Sequence, residues 1–114
     1  MSKKDCLFCK IIAGEIPSRK VYEDDEVYVF HDIHPFSRVH FLIIPKAHIP
    51  TLADCGPEHE KILGKMLGLA PKLAQAQGLE SGFKTLINTG RGGGQEVFHI
   101  HIHVFGGGDP AVRL

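Results

Sequence analysis

The stretch "FHIHIHVFGGG", residues 98–108, alternates three histidines with aliphatic residues and then runs into glycine. Alternation of period two marks a strand, so His99, His101 and His103 share one face while Ile100, Ile102 and Val104 turn to the core. Neighbouring imidazoles on such a face stand about 6.7 Å apart and the outer pair about 13 Å. Zinc holds nitrogen ligands at about 2 Å, so one ion cannot take all three rings. Two can share a metal, or all three can line an elongated ligand such as a phosphate with its neighbours. With an unperturbed pKa near 6.5, about three-quarters of an imidazole is neutral at pH 7. One ring can then serve as nucleophile, base or acid, and another, if cationic, can face a phosphate. A plain solvated face draws Thr, Lys, Glu and Ser rather than the same ring three times. Glycines flank the row: Gly90, Gly92, Gly93 and Gly94 before it, Gly106, Gly107 and Gly108 after it. They let backbone N–H groups approach an anion closely. Taken alone they read equally well as flexible hairpin connections.

A second group of reactive side chains is "CLFC", Cys6 and Cys9. No strand of a βαβ unit precedes it, so a thioredoxin-type reading fails. Two sulfurs are half of a zinc site, and two histidines would complete a Cys₂His₂ set. The alternative is two small side chains packing under a short helix. Cys55 reads as a loop residue. Among the remaining histidines, His40 reads as a buried support behind the site. His34 belongs to a loop and His59 to a helix surface, and His31 has no assigned role.

These residues need elements to hold them. Leu7, Phe8, Ile11 and Ile12 have helical spacing, which predicts a short helix over 6–13 ending near Gly14. "KVYEDDEVYVFHDI" predicts strands over 19–23 and 26–31 around an acidic turn, and "VHFLIIP" a buried strand over 39–45. Pro45 and Pro50 bracket a loop with Lys46 and His48. The long helix spans 57–77. Pro57 suits its first position, Glu58 and Glu60 its first turn, and Gly78 its end. Its apolar stripe is Ile62, Leu63, Met66, Leu67, Ala70, Leu73 and Ala74, with a kink at Pro71. Strands over 83–89 and 97–105 follow, joined by "GRGGGQE". The order predicts an α+β domain, residues 1–114, with a five-stranded antiparallel sheet, one long helix and one short one.

Composition limits the partners. Hydrophobic residues make up 43% of the 114, and 13 basic residues balance 13 acidic ones. A broad basic footprint for nucleic acid is missing, so an anionic ligand must be held by a local site. No apolar run approaches the roughly 20 residues that span a bilayer, and "LFCKIIAGE" is not a signal-peptide core. Three cysteines, an odd count, argue against a disulfide framework. The expectation is a cytoplasmic protein with no nucleic-acid or membrane partner.

"HIHIHVF" fits the His-φ-His-φ-His-φ-φ pattern of the histidine-triad (HIT) superfamily. With "CLFCKIIAGEIPSRKVYEDDEVYVFHDI", "HFLIIPKAHI" and "INTGRGGGQEVFHIHIHVFGG" in that order, nearly the whole chain resembles the HINT-like nucleoside phosphoramidases. The resemblance implies a HIT-like fold whose sheets pair in a homodimer. It implies a purine nucleotide substrate, with His101 as nucleophile on the α-phosphorus of a nucleoside 5′-phosphoramidate. His103 would contact phosphate and leaving group, and His99 and His48 would orient and polarise the cluster. The backbone of Gly94, Gln95, Glu96 and Val97 would meet the phosphate oxygens, and Asn88 would bond near phosphate and ribose. Asp32 would accept from the ribose hydroxyls, and Phe30 and Ile33 would pack the base. Read without the resemblance, Asp32 is equally a cap and Asn88 equally a turn residue.

In some bacterial relatives the cysteine pair binds structural zinc with histidines at the positions of His48 and His99, and the chemistry needs no cofactor. Phe36 and Arg38 depart from the family pattern, as does Glu96, where some relatives carry a serine that assists the leaving group. Only six residues follow Gly108, whereas relatives often carry a longer tail that reaches the partner's site. Two further readings stand beside the phosphoramidase: a dinucleoside polyphosphate hydrolase, which Gly106–Gly108 disfavours, and a nucleotide- or zinc-binding module with incidental hydrolysis.

Overall fold

The computed structural model describes residues 5–108; the short tail, residues 109–114, lies outside them. Helix α1, Leu7–Ile12, opens on Cys6, whose sulfur accepts the Cys9 N–H at 3.4 Å. It closes on Gly14 in the left-handed region, φ 81°, with the Glu15 N–H on the Lys10 carbonyl at 2.9 Å. Strands β1 (Lys20–Glu23), β2 (Val27–His31) and β3 (Val39–Pro45) follow, near their expected bounds. The long helix begins later than the sequence suggests. Pro57–His59 form a 3₁₀ turn, and α2 runs Glu60–Ala76. Pro71 lies inside α2, on its exposed side, without ending it. Gly78, φ 89°, stops it, with the Leu79 N–H on the Ala74 carbonyl.

Strands β4 (Lys84–Leu86) and β5 (Ile102–Gly106) are both shorter than expected. The sheet is antiparallel in the order β1-β2-β3-β5-β4. The expected strand over 97–105 thus begins only at Ile102, opposite Ile43. Further along β3 stands Pro45, which has no N–H to give a ladder. Its carbonyl instead accepts from the His99 ring at 2.7 Å.

Period-two alternation sorts the core onto both faces of the sheet. Val27, Val29, Phe41, Ile43, Ile102 and Val104 pack on Met66, Ala70 and Ala74 of α2. On the other face, Tyr28, Phe30, Leu42 and Ile44 pack on Cys6, Phe8 and Ile11 beside α1. Leu67, placed in the buried stripe by its spacing, is 49% exposed instead, one residue round the helix from Met66. A sheet covered on both faces leaves β3 wholly buried, which explains its unbroken apolar run. The α1 side also receives the histidines.

Candidate functional site

Short α1 covers only part of its face of the sheet. Beside it opens a cleft of about 370 Å³. Phe8 and Ile11 form one wall and Phe30 and Leu42 the floor. Asp32 and Ile33, just past β2, form one rim; Asn88, Gly94, Glu96 and Val97 form the other. His101 and His103 open into it. Both are nearly buried, at 7% and 8% exposure, with ring centroids 4.9 Å apart.

The second nitrogen of each ring fixes what the first can do. His101 Nδ1 lies 2.8 Å from the His99 carbonyl. A carbonyl only accepts, so Nδ1 carries the hydrogen and Nε2 keeps its lone pair. His103 Nδ1 lies 2.9 Å from His40 Nε2, behind the cleft. Burial lowers the pKa of His101, against the His99 carbonyl and Asp32, which oppose it. Burial pushes His103 down to about 4, helped by His101 and His40 and opposed by Asp32. Desolvation thus favours the neutral form of both rings.

His99 goes elsewhere. Its ring is fully buried and does not line the cleft. Its Nε2 donates to Pro45, which leaves Nδ1 bare, 3.3 Å from Cys6 Sγ and 3.6 Å from Cys9 Sγ. His48 Nδ1 stands 3.4 Å from Cys9 Sγ. One ligand atom from each of these four residues lies within 4.8 Å of the others. Bond lengths of about 2.3 Å to sulfur and 2.0 Å to nitrogen give a tetrahedral S···N edge of about 3.5 Å, so the set fits zinc. His48 Nε2 is buried with no hydrogen-bond partner, a polar demand that the described protein atoms leave unmet. The Pro45 carbonyl on His99 Nε2 is the outer support a ligating histidine needs.

The glycine loop contributes less than the sequence suggests. Gly94, φ 81°, turns the chain into the cleft rim. However, its N–H donates to Arg91 and that of Gln95 to Gly90. The Gln95 side chain is an internal brace: Oε1 accepts from Gly90, and Nε2 donates to Pro50 and Val97. Gln95 is buried and does not line the cleft. Among the four residues assigned to phosphate, only the N–H groups of Glu96 and Val97 lack a backbone partner among the described residues. Gly106–Gly108 are also away from the cleft. Arg38 Nε donates to the Gly107 carbonyl at 2.7 Å, and a Cβ on Gly108 would strike the Arg38 backbone. Close packing, not anion binding, explains those glycines.

Sequence reading missed part of the lining. His31 and His34 line the cleft, as do Ile16, Pro17 and Ser18 after α1 and the half-exposed Phe36. The apolar helix residues read only as core, and nothing in their spacing announces that α1 stops short of covering the sheet. None of the described lining residues is Lys or Arg, while Asp32 and Glu96 bring two carboxylates.

A family model described as HIT domain matches residues 13–109. The chain belongs to the HIT domain family. Relatives of this family member include Protein HitA of Neisseria gonorrhoeae, 58% identical over 90% of this chain and 95% of that one. The purine nucleoside phosphoramidase of Escherichia coli K12 is 50% identical over 91% of this chain and 88% of that protein. A HIT family hydrolase of Legionella pneumophila superposes with TM-score 0.89 at 49% identity, covering 92% of this chain and 95% of that one. A zinc-bound histidine triad family protein of Mycobacterium smegmatis superposes with TM-score 0.79 at 38% identity, covering 90% of this chain and 75% of that one. These relatives and the antiparallel α+β architecture agree with a HINT-like member of the family. The match begins at residue 13, so Cys6 and Cys9 fall before it.

Proposed function

We propose that this HIT protein is a hydrolase that cleaves the P–N bond of purine nucleoside 5′-phosphoramidates through a nucleotidyl-His101 intermediate. The carrying observation is the 2.8 Å contact between His101 Nδ1 and the His99 carbonyl, which leaves Nε2 bare at the cleft. In the first step Nε2 bonds to the α-phosphorus and the P–N bond breaks. The bond electrons leave with the nitrogen, which takes up one proton. The imidazolium charge is held against the His99 carbonyl. In the second step water forms the P–O bond, releases one proton and regenerates neutral His101. His103, the Glu96 and Val97 N–H groups and Asn88 serve the phosphate. Asp32 serves the ribose, and Phe30 and Ile33 the base. Gly94 shapes the turn, and Gln95 acts only as its brace.

The absence of Lys and Arg among the described lining residues favours this reading over a dinucleoside polyphosphate hydrolase. A polyphosphate chain brings several negative charges, and here it would meet Asp32 and Glu96. An amine leaving group brings none. The phosphoramidase name of the E. coli relative points the same way.

Structural zinc belongs to the same proposal, held by Cys6, Cys9, His48 and His99. Bound there it would tie α1 to the segment before β5, supplying cross-linking rather than chemistry. The zinc-bound relative supports this, as do the contacts around His99. We further take residues 1–114 as one domain acting as a cytoplasmic homodimer. The exposed Leu67 on α2 and the edge strand β4 are the surfaces offered to a partner copy.

The test compares adenosine 5′-phosphoramidate with diadenosine tetraphosphate as substrates. Turnover of the first and little of the second is expected, with AMP as product. Wild-type protein that binds AMP but turns over neither would leave a binding module. Light scattering at micromolar protein should give twice the chain mass.

A further inference from the structure

The cleft runs across the sheet. His101 and His103 stand on the β5 side, Leu42 on β3 and Phe30 on β2, and Ile16, Pro17 and Ser18 lie beyond them, just before the edge strand β1. The Arg19 carbonyl accepts the His31 N–H at 2.9 Å, which keeps this last segment against β2. With strands about 4.8 Å apart, three spacings put Ser18 on the order of 14 Å from the histidines. A nucleotide laid along that line has its phosphate at His101 and its base over Phe30. The base then turns toward Ser18 its far edge, the one opposite the sugar.

Ser18 carries the one hydroxyl among the described lining residues, and its neighbours Ile16 and Pro17 are apolar. Its Oγ lies 2.7 Å from the Tyr28 hydroxyl, and either oxygen can be the donor. Burial decides which one is. Tyr28 is 8% exposed, does not line the cleft, and its hydroxyl has no other hydrogen-bond partner among the described residues. If Ser18 donated, the phenol hydrogen would be left inside the protein without an acceptor, which is costly. A phenol is also the more acidic hydroxyl and the better donor. Tyr28 therefore donates, Ser18 Oγ accepts, and the Ser18 hydrogen is left for the cleft. A hydroxyl that already accepts one bond donates the next more strongly. The Phe30 ring, 5.8 Å from that of Tyr28, links this pair to the floor beneath the base.

We propose that Ser18, set as a donor by Tyr28, reads the base: it donates to an acceptor on the far edge of a purine, N1 of adenine or O6 of a 6-oxopurine. The proposal rests on the proposed function for where the base lies, and it gives the purine preference a physical source. A pyrimidine is one ring shorter, and its far edge stops short of Ser18. His31 and His34 also line the cleft, but His34 is exposed, where water competes for its bonds.

The experiment measures calorimetric affinities of the full chain for AMP, 1-deaza-AMP, 7-deaza-AMP and CMP, with kcat/KM on the matching 5′-phosphoramidates. Replacing N1 by C–H removes the acceptor without changing the shape of the base. Wild type should bind 1-deaza-AMP about tenfold more weakly than AMP, 7-deaza-AMP within about twofold of AMP, and CMP no better than 1-deaza-AMP. Ser18→Ala should lose about tenfold on AMP and nothing further on 1-deaza-AMP, so that the two become equal. Tyr28→Phe leaves the Ser18 hydroxyl in place but free to turn, and discrimination between the two should fall to about threefold.

Equal wild-type affinities for AMP and 1-deaza-AMP overturn the proposal whether or not either variant folds. So does a Ser18→Ala protein that still discriminates, because His31 or His34 would then read that edge. If wild type prefers AMP to 1-deaza-AMP but hydrolyses no phosphoramidate, the proposed activity fails and the reading of the base stands. If AMP does not bind, both fall.

Discussion

At the Cys–His cluster, four ligand atoms converge within 4.8 Å around a fully buried His99 ring, and none of the four residues is a carboxylate. At the cleft, His101 and His103 face an open volume rimmed by Asp32 and Glu96. Residue 99 belongs to both places, its ring to the cluster and its carbonyl to His101. Three identical side chains, two residues apart, thus take three different states. A carbonyl on Nε2 makes His99 a bare Nδ1 ligand, and a carbonyl on Nδ1 makes His101 a bare Nε2 nucleophile. Behind His103 Nδ1 stands another ring, His40, at 2.9 Å. The chemistry of an imidazole row is therefore written by what stands behind each ring.

That division predicts separable losses. His101→Ala should lower kcat on adenosine 5′-phosphoramidate about 10⁴-fold. AMP affinity and metal content should remain near wild type. A variant as active as wild type would remove His101 as nucleophile. The Cys6→Ala/Cys9→Ala double variant should behave in the opposite way. Zinc measured by plasma emission should fall from about one ion per chain to near none. Stability should drop by on the order of 3 kcal/mol, with kcat reduced less than about tenfold. If it lost activity as fully as His101→Ala while remaining folded, the cluster would be part of the chemistry.

Acid should weaken the cleft side with a definite sign. Burial holds folded His103 at about 4, against about 6.5 in the unfolded chain. As pH falls the unfolded chain takes this proton first, so its contribution is whole above about pH 6.5 and lost progressively down to about 4. The loss should be on the order of 2 kcal/mol. Urea midpoints at pH 7 and 4.5 measure it, and His103→Gln should show a smaller difference between the two. An identical difference in both would place the acid sensitivity outside His103.

The shared α1 side of the histidines was legible because Ile102 and Val104 enter the core opposite β3, where period two dictates direction. The length of the histidine strand was not. It depends on Pro45, 54 residues before His99 and in a contact no local pattern reveals, removing an N–H from the facing ladder. The bonding of Gln95 was not legible either. Its backbone N–H, which the resemblance assigns to phosphate, donates instead to the Gly90 carbonyl. His40 was visible as a buried polar residue in an apolar strand, but its contact with the Phe36 amide is set by the turn before β3. Local periodicity assigned the elements; side-chain roles depended on which groups the fold sets behind each ring.

The smallest expected effect tests the charge of the cleft. Glu96 is exposed on its rim, and no Lys or Arg is among the described residues lining it. Glu96→Lys reverses one charge, a change of two units. At about 7 Å in a solvent-like dielectric each unit is worth about 0.6 kcal/mol against one phosphate charge. The phosphoramidate keeps its neutral leaving group, so its kcat/KM should rise only a few-fold. Diadenosine tetraphosphate places further charges beyond the α-phosphate, and its kcat/KM should rise about tenfold more than that. Added salt at 0.5 M should shrink the difference, because the Debye length then falls to about 4 Å. If the ratio of the two substrates stays fixed at low salt, Glu96 does not reach the phosphate chain, and the preference against polyphosphates must come from the shape of the cleft around Phe36 and Ile33.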